Sequence, residues 1–164
     1  MSVREFDVAI LRDAVEELCC KLACVLPDDI RDAIEQALEQ EDSTVARQVL
    51  EDLLLNCEIA AEESVPMCQD TGMVVAFLDV GFDVSFLGDP YEAINEGVRR
   101  GYKKHVLRMS VVSDPLRRVN TGDNTPVMVT TRLVPGDRVT ITMLCKGFGS
   151  ENMSRLAMLL PADG

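Results

Sequence analysis

Apolar side chains recur at helical spacing throughout the first third of the chain. This period predicts three amphipathic helices, over residues 3–26, 28–40 and 44–63. Pro27 separates the first two, because proline ends one helix and is accepted at the start of the next. Ser43 or Thr44 supplies an N-cap for the third helix.

The hydrophobic pattern changes after residue 65. Residues 73–78 form a short, almost wholly apolar run that is typical of a buried strand. Residues 127–133 and 139–144 also predict strands, because they are rich in β-branched side chains. The turn sequence Val-Pro-Gly-Asp between these two strands predicts that they form a hairpin.

Two further helices are predicted among and after these strands. Asp89, Pro90 and Glu92 combine an N-cap, a first-turn proline and a capping-box acid, and this helix is expected to end near residue 104. The other is expected over about residues 150–160. The order ααα-β-α-β-β-α predicts an α+β fold, in which an N-terminal helical segment precedes a mixed or antiparallel sheet with packing helices.

Charge divides the chain into two portions. Residues 1–65 carry 17 acidic and 5 basic residues, which accounts for the whole net charge of −12, whereas residues 66–164 carry 11 of each. We therefore distinguish an acidic helical segment, 1–65, from an α/β site-bearing portion, 66–164. The acidic segment argues against a nucleic-acid partner, since phosphate binding needs a basic surface. No apolar run is long enough to predict a membrane span.

Six cysteines occur in a chain whose N-terminus lacks the pattern of a secretory signal. This combination predicts a cytoplasmic protein with reduced thiols rather than disulfides. Cys57 lies on the apolar side of the third predicted helix and is expected in the core. Cys20 and Cys24 are one helical turn apart and roughly opposite the apolar stripe of the first helix, so we assign them to a subunit interface rather than to half of a metal site.

The most informative string is the loop before the first strand, Cys68-Gln69-Asp70-Thr71-Gly72. A thiol in such a loop can be a soft-metal or iron–sulfur ligand, a nucleophile, or simply a buried side chain. Gln69 and Asp70 favour the first two, because burying an amide and a carboxylate without partners is costly.

A second string follows the last strand, Lys146-Gly147-Phe148-Gly149-Ser150. Its glycines would let the backbone approach a ligand closely, and Lys146 would add positive charge, although a flexible connection is the alternative. Arg108 lies between apolar neighbours and is a candidate carboxylate clamp or a structural ion pair. Residues 120–126 are expected to form a rigid polar turn.

Taken together, four strings of this chain resemble class I fumarate hydratase and L-tartrate dehydratase, in the α subunit or N-terminal domain. These strings are Cys68-Gln69-Asp70-Thr71-Gly72, Arg108-Met109-Ser110, Asn120-Thr121-Gly122-Asp123-Asn124-Thr125-Pro126 and Lys146-Gly147-Phe148-Gly149-Ser150-Glu151-Asn152. The resemblance covers nearly the whole chain in the order of the family.

The resemblance implies a hydro-lyase with a [4Fe–4S] cluster whose open iron binds substrate. Cys68 is then the first cluster ligand, and Gln69 and Asp70 are catalytic residues that also contact the substrate. The implied substrate-binding set is Gln69, Asp70, Thr71, Arg108, Lys146 and Gly149. The implied partners are a small dicarboxylate, a β subunit that supplies the base, and a second α chain, with reversible hydration of fumarate to malate as the reaction.

Two departures from the family pattern bear on that expectation. Phe148 replaces the middle of three glycines, which leaves L-tartrate or a related 2-hydroxy dicarboxylate as an alternative substrate. The other two cluster cysteines of the family lie beyond the glycine-rich string, so the chain alone is expected to be inactive. Alternative roles are a non-catalytic assembly and dimerisation module, and a thiol or zinc sensor built on Cys19, Cys20 and Cys24.

Overall fold

A computed structural model of the chain describes residues 3–163, and of residues 150, 151 and 163 the backbone only. The helices are α1 Val8–Cys24, α2 Asp28–Gln40, α3 Thr44–Glu63, α4 Pro90–Lys104 and α5 Gly149–Met153. The strands are β1 Arg4–Asp7, β2 Met73–Gly81, β3 Val84–Leu87, β4 Met128–Val134 and β5 Val139–Lys146, and a 3₁₀ turn covers Pro161–Asp163. The predicted α+β class is confirmed.

The larger sheet has three strands in the order β4-β2-β5, with β2 parallel to β4 and antiparallel to β5. The predicted β4–β5 hairpin is therefore wrong, although both strands exist. Strand β2 lies between them because its side chains are the most apolar and fill the centre of the sheet. The link between β4 and β5 crosses the end of β2, where the Gly81 amide donates to the Arg138 carbonyl at 2.8 Å.

A second, two-stranded sheet pairs β1 with β3 in parallel. The prediction of a helix from residue 3 is thus wrong at its start, since the first turn begins at Val8. Asp7 is the reason, because its carboxylate accepts from the Ala9 amide at 2.8 Å and caps α1. Phe6 and Phe86 meet edge to face across the two strands at 5.7 Å between ring centroids.

The core lies between α1, α4 and one face of the larger sheet. Val15 of α1 and Val98 of α4 are fully buried, as is Ala76 on the inward face of β2. Helices α1 and α4 approach closely because α4 has glycine where they cross. A Cβ at Gly97 would lie 2.6 Å from the Arg12 carbonyl oxygen, and one at Gly101 would lie 2.7 Å from the Cys19 Cβ. These contacts leave no room for a larger residue.

Helices α2 and α3 form an antiparallel pair beside this core, which we call the α2–α3 hairpin. Their bounds match the prediction, and the Ser43 hydroxyl caps α3 by accepting from the Ala46 amide at 3.4 Å. Within α2, all of which the structure describes, no residue is buried. Cys57 of α3, predicted in the core, is only partly buried.

Two other predictions are corrected by the structure. Cys24 is 2% exposed and lies in the chain's own core, so it cannot form the predicted interface with Cys20. The helix predicted over residues 150–160 ends at Met153. Leu156 and Met158 stay 91% and 89% exposed, so the segment lacks the buried apolar face that stabilises a short helix. No helix within residues 3–163 is long and apolar enough to cross a membrane.

Candidate functional site

Three segments converge beside the N-terminal end of β2: the loop after α3, the loop after α4, and the junction of β5 with α5. Between them lies a cavity of about 420 Å³. Its polar lining consists of Asp70, Arg108, Ser110, Arg118, Gly149 and Asn152, and its apolar wall of Val112, Pro115 and Phe148. Three of the predicted site residues, Asp70, Arg108 and Gly149, thus lie around one space.

Gly72 lets the loop after α3 pack against the junction of β5 with α5. Its φ is +64°, in the left-handed region that favours glycine. A Cβ at this position would collide with the backbone of Lys146 and Gly147. The glycine of the Cys-Gln-Asp-Thr-Gly string is therefore required both by its backbone angle and by the close approach of the two loops.

The Asp70 carboxylate ties the loops together. Its Oδ1 accepts from the Gly72 amide at 3.1 Å and from the Ser110 hydroxyl at 3.3 Å, and its Oδ2 accepts from the Phe148 amide at 3.2 Å. Burial opposes ionisation of Asp70, but the amides of Phe148 and Gly72, the Ser110 hydroxyl and the charge of Arg108 together lower the pKa of its carboxyl below the ordinary value. Asp70 is therefore a carboxylate at neutral pH.

Positive charge reaches the cavity from two exposed arginines, Arg108 and Arg118. Neither guanidinium makes a hydrogen bond or ion pair with a side chain that the structure describes. The backbone of Arg108 is held by the buried Thr71, whose hydroxyl donates to the Arg108 carbonyl at 2.9 Å. Thr71 thus joins two segments in this structure, and its predicted contact with substrate stays a prediction.

Cys68 and Gln69 lie at the exposed end of the same loop. The Cys68 thiol donates to the Gln69 side-chain oxygen at 3.3 Å, and the Asp70 amide donates to the Cys68 sulfur at 3.5 Å. Lys146, in contrast, turns back and donates from Nζ to the Gly147 carbonyl at 2.9 Å, and it is not among the residues that line the cavity.

The donor set for a metal is incomplete in the described chain. Of the six cysteines, all of which the structure describes, Cys68 alone is exposed. Burial raises the pKa of the Cys19 thiol to about 12, which leaves it protonated at neutral pH. No group of three or more His, Cys, Asp or Glu side chains that could hold a metal occurs among the described residues. Among the described residues, the exposed thiol of Cys68 is chemically suited to serve as one metal ligand.

Several residues of this site are not singled out by the sequence. Ser110 and Asn152 occur in informative strings without an individual role, and Arg118 is one basic residue among several. Tyr102 and Asn124 are buried beneath the site, and the sequence places them only in a helix and in a turn. Tyr102 has one signal in the sequence, because it is a polar residue within an otherwise apolar helical stripe.

The fold and this site define an α+β domain whose polar loops surround an anion-sized, arginine-bearing cavity. The sequence model of the fumarate hydratase (Fumerase) family matches residues 12–164, and the chain belongs to that family. Its relatives include an Escherichia coli K12 protein named "L(+)-tartrate dehydratase subunit alpha", 28% identical over 158 residues. A Methanocaldococcus jannaschii protein named "Putative L(+)-tartrate dehydratase subunit alpha" is 38% identical over 161 residues.

Both alignments cover 94% of this chain. They cover 56% of the Methanocaldococcus jannaschii protein and 52% of the Escherichia coli protein, so the chain spans about half the length of these relatives.

Proposed function

We propose that this chain is the site-bearing part of the α subunit of a hydro-lyase that interconverts fumarate and malate. The observation that supports it is the cavity lined by both the ionised Asp70 and Arg108, with the exposed thiol of Cys68 on the same loop two residues before Asp70. Family membership supports the same chemistry.

Removal of water from a 2-hydroxy acid needs help for the departing hydroxyl. When bound, a [4Fe–4S] cluster held in part by Cys68 would supply a Lewis acid for that oxygen. The thiol meets one requirement of this proposal, since it is exposed and lies on a loop fixed by Gly72. The remaining ligands would come from outside these residues.

The chain's own residues would bind and orient the substrate. Arg108 would bind one carboxylate with two parallel hydrogen bonds, and Arg118 adds positive charge on the same cavity. Asp70, ionised and held by two backbone amides, would accept a hydrogen bond from the substrate hydroxyl. Gln69 would contact the substrate from the exposed end of the loop, and a backbone group near Gly149 would complete the cradle.

The assembly proposed with this activity contains a β subunit and a second α chain. The relatives' names designate an α subunit, which supports a partner of a different kind. Exposed apolar side chains on the α2–α3 hairpin, among them Val45, Val49 and Leu55, support a contact surface there. They equally support the second candidate, a non-catalytic assembly module.

L-Tartrate is the alternative substrate. The names of the relatives support it, whereas the apolar wall formed by Phe148, Val112 and Pro115 favours a substrate without a second hydroxyl on that side. We therefore place malate first and tartrate second.

The test is anaerobic reconstitution of iron and sulfide into the complete α subunit with its β partner, followed by dehydration assays on malate and L-tartrate. We expect malate turnover that Cys68→Ser reduces by at least about a hundredfold, because the variant lacks one of the proposed cluster ligands. Cys57→Ser, a partly buried thiol on α3, is the matched control and should leave turnover within about twofold.

Turnover of tartrate alone would transfer the proposal to tartrate dehydration. Full activity of Cys68→Ser would contradict the role of Cys68 as a ligand. If a fully loaded assembly turned over neither acid, the hydro-lyase proposal would fail and the assembly module would replace it.

A further inference from the structure

Asn124 is a fully buried polar residue beneath the candidate site. It is 0% exposed, and its φ of 60° lies in the left-handed region, which asparagine tolerates better than most side chains. A buried amide group must find hydrogen-bond partners. The Asn124 side chain finds them on the two segments that line the cavity, at Ser110, Val111 and Gly72.

The two ends of its side chain bind different segments. Oδ1 accepts from the Ser110 amide at 2.7 Å and from the Val111 amide at 3.1 Å, and Nδ2 donates to the Gly72 carbonyl at 3.1 Å. The first segment bears Arg108, and the second bears Asp70. One side chain therefore joins two of the three segments that line the cavity.

Other contacts join the same segments but cannot replace this one. Thr71 donates its hydroxyl to the Arg108 carbonyl at 2.9 Å, two residues before Ser110. Tyr102 donates to the Thr71 carbonyl at 2.8 Å and to the Gly72 carbonyl at 3.3 Å, and its hydroxyl lies 3.8 Å from the Cys145 sulfur. It therefore contacts the Asp70 loop and β5 but not the segment that bears Arg108. Asn124 alone among these three fixes the amide of Ser110, whose hydroxyl in turn donates to Asp70 at 3.3 Å.

We infer that Asn124 is a positioning residue, which holds the Ser110 amide and the Gly72 carbonyl at the spacing that brings Arg108 and Asp70 to the same cavity. The arrangement needs an acceptor for two amides and a donor for one carbonyl on the same short side chain. Asparagine provides both. Aspartate lacks the donor, and glycine keeps the backbone angle but lacks both groups.

The inference is tested by residue-resolved amide hydrogen exchange on the full chain. In Asn124→Gly we expect the Ser110 and Val111 amides, which lose their acceptor, to exchange at least about tenfold faster, while amides of α4 change in proportion to global stability only. Val98→Ala, a fully buried α4 variant that removes no hydrogen bond, is the control for a general loss of stability.

Asn124→Asp separates the two ends of the side chain and also serves if the glycine variant does not fold. It should keep protection at Ser110 and Val111, whose acceptor remains, and should shift the carbonyl carbon resonance of Gly72, which loses the Nδ2 donor and keeps only the contact from the Tyr102 hydroxyl at 3.3 Å. Unchanged exchange at Ser110 and Val111 in folded Asn124→Gly, or an unchanged Gly72 carbonyl resonance in folded Asn124→Asp, would overturn the inference. Equal acceleration in Val98→Ala at matched thermal midpoint would overturn it as well.

A kinetic measurement on the assembled enzyme adds a readout that rests on the proposed function. Asn124→Gly should raise KM for the dicarboxylate at least about fivefold, because Arg108 and Asp70 lose their mutual placement. An unchanged KM in an active variant would refute the positioning role. Lack of turnover by the unmodified enzyme would instead refute the proposed reaction, and the exchange data would then decide the role of Asn124.

Discussion

The α2–α3 hairpin and the core formed by α1, α4 and β2 are both amphipathic, yet only the core buries its apolar face. Val15, Ile94 and Val98 in the core are 0% exposed, whereas Val49 and Ile59 of the hairpin are 53% and 43% exposed. Hydrophobic periodicity thus predicts that a helix forms but does not predict which surface covers it. The site lies on the loops after α3 and α4 and on the short helix α5, not on the α2 and α3 helices of the hairpin.

The largest difference is expected when an isoleucine is shortened to alanine once in the core and once in the α2–α3 hairpin. Ile94→Ala should lower the free energy of unfolding by about 2–5 kcal/mol, since a fully buried isoleucine loses its packing and leaves a cavity. Ile59→Ala, on the exposed face of α3, should cost less than about 1 kcal/mol. Urea unfolding of the two variants measures both.

Equal costs for these two substitutions would contradict the comparison. They would mean that the hairpin's apolar face is covered in solution, and the dependence of the Ile59→Ala midpoint on protein concentration would show whether another copy covers it.

The next prediction concerns the junction of core and site. Gly72→Ala should cost about 2–3 kcal/mol, because its Cβ would collide with the backbone of Lys146 and Gly147 in addition to the strain of a positive φ. Gly122→Ala isolates the second effect, because Gly122 has a φ of +79° but no atom within 4 Å of the place that a Cβ would occupy. It should cost about 1 kcal/mol.

Thermal unfolding measures the difference between the two glycine variants. If both cost the same, the close approach of the two loops at Gly72 does not matter for stability. The junction would then be more pliable than the pairing of β2 with the end of β5 suggests.

Local signals predict α2, α3 and α4 with their bounds, but not the start of α1 or the end of α5. Ser43 caps α3, and Asp89 caps α4 by accepting from the Tyr91 amide at 2.8 Å, both as their side-chain chemistry requires. The pairing of β4 and β5 with β2 cannot be predicted in this way. Strand β2 lies between them, and its partners are more than 50 residues away in sequence.

The site is predictable to the extent that its strings are local. Asp70, Arg108 and Gly149 each stand out in the sequence and share the cavity, although nothing in their spacing fixes that they meet. The polar turn predicted over residues 120–126 has the expected local bonds, such as that from the Thr125 amide to Asp123 at 3.0 Å, on both sides of Asn124. Its side-chain partners Ser110 and Gly72 lie 14 and 52 positions away, and a turn pattern contains no information about such contacts.

The smallest predicted effect is the pH dependence that Asp70 gives to the free energy of unfolding. Because the folded state lowers the pKa of this carboxyl, its ionised form stabilises the fold above the unfolded pKa of about 3.9, and that contribution is lost as pH falls through the lower folded pKa. Asp70→Asn should cost about 1 kcal/mol at pH 7 and should flatten the fall of stability between about pH 5 and pH 3.

The matched control for this titration lies in the hairpin. Asp32→Asn replaces an exposed carboxylate of α2 and should leave the acid limb of the stability curve unchanged within about 0.5 kcal/mol. Thermal midpoints of the three proteins between pH 7 and pH 3 provide the measurement. If Asp70→Asn keeps the full acid sensitivity, the hydrogen bonds from Gly72 and Phe148 do not favour the ionised form. The acid sensitivity would then arise elsewhere, and Asp70 would link the loops without contributing a pH-dependent part of their stability.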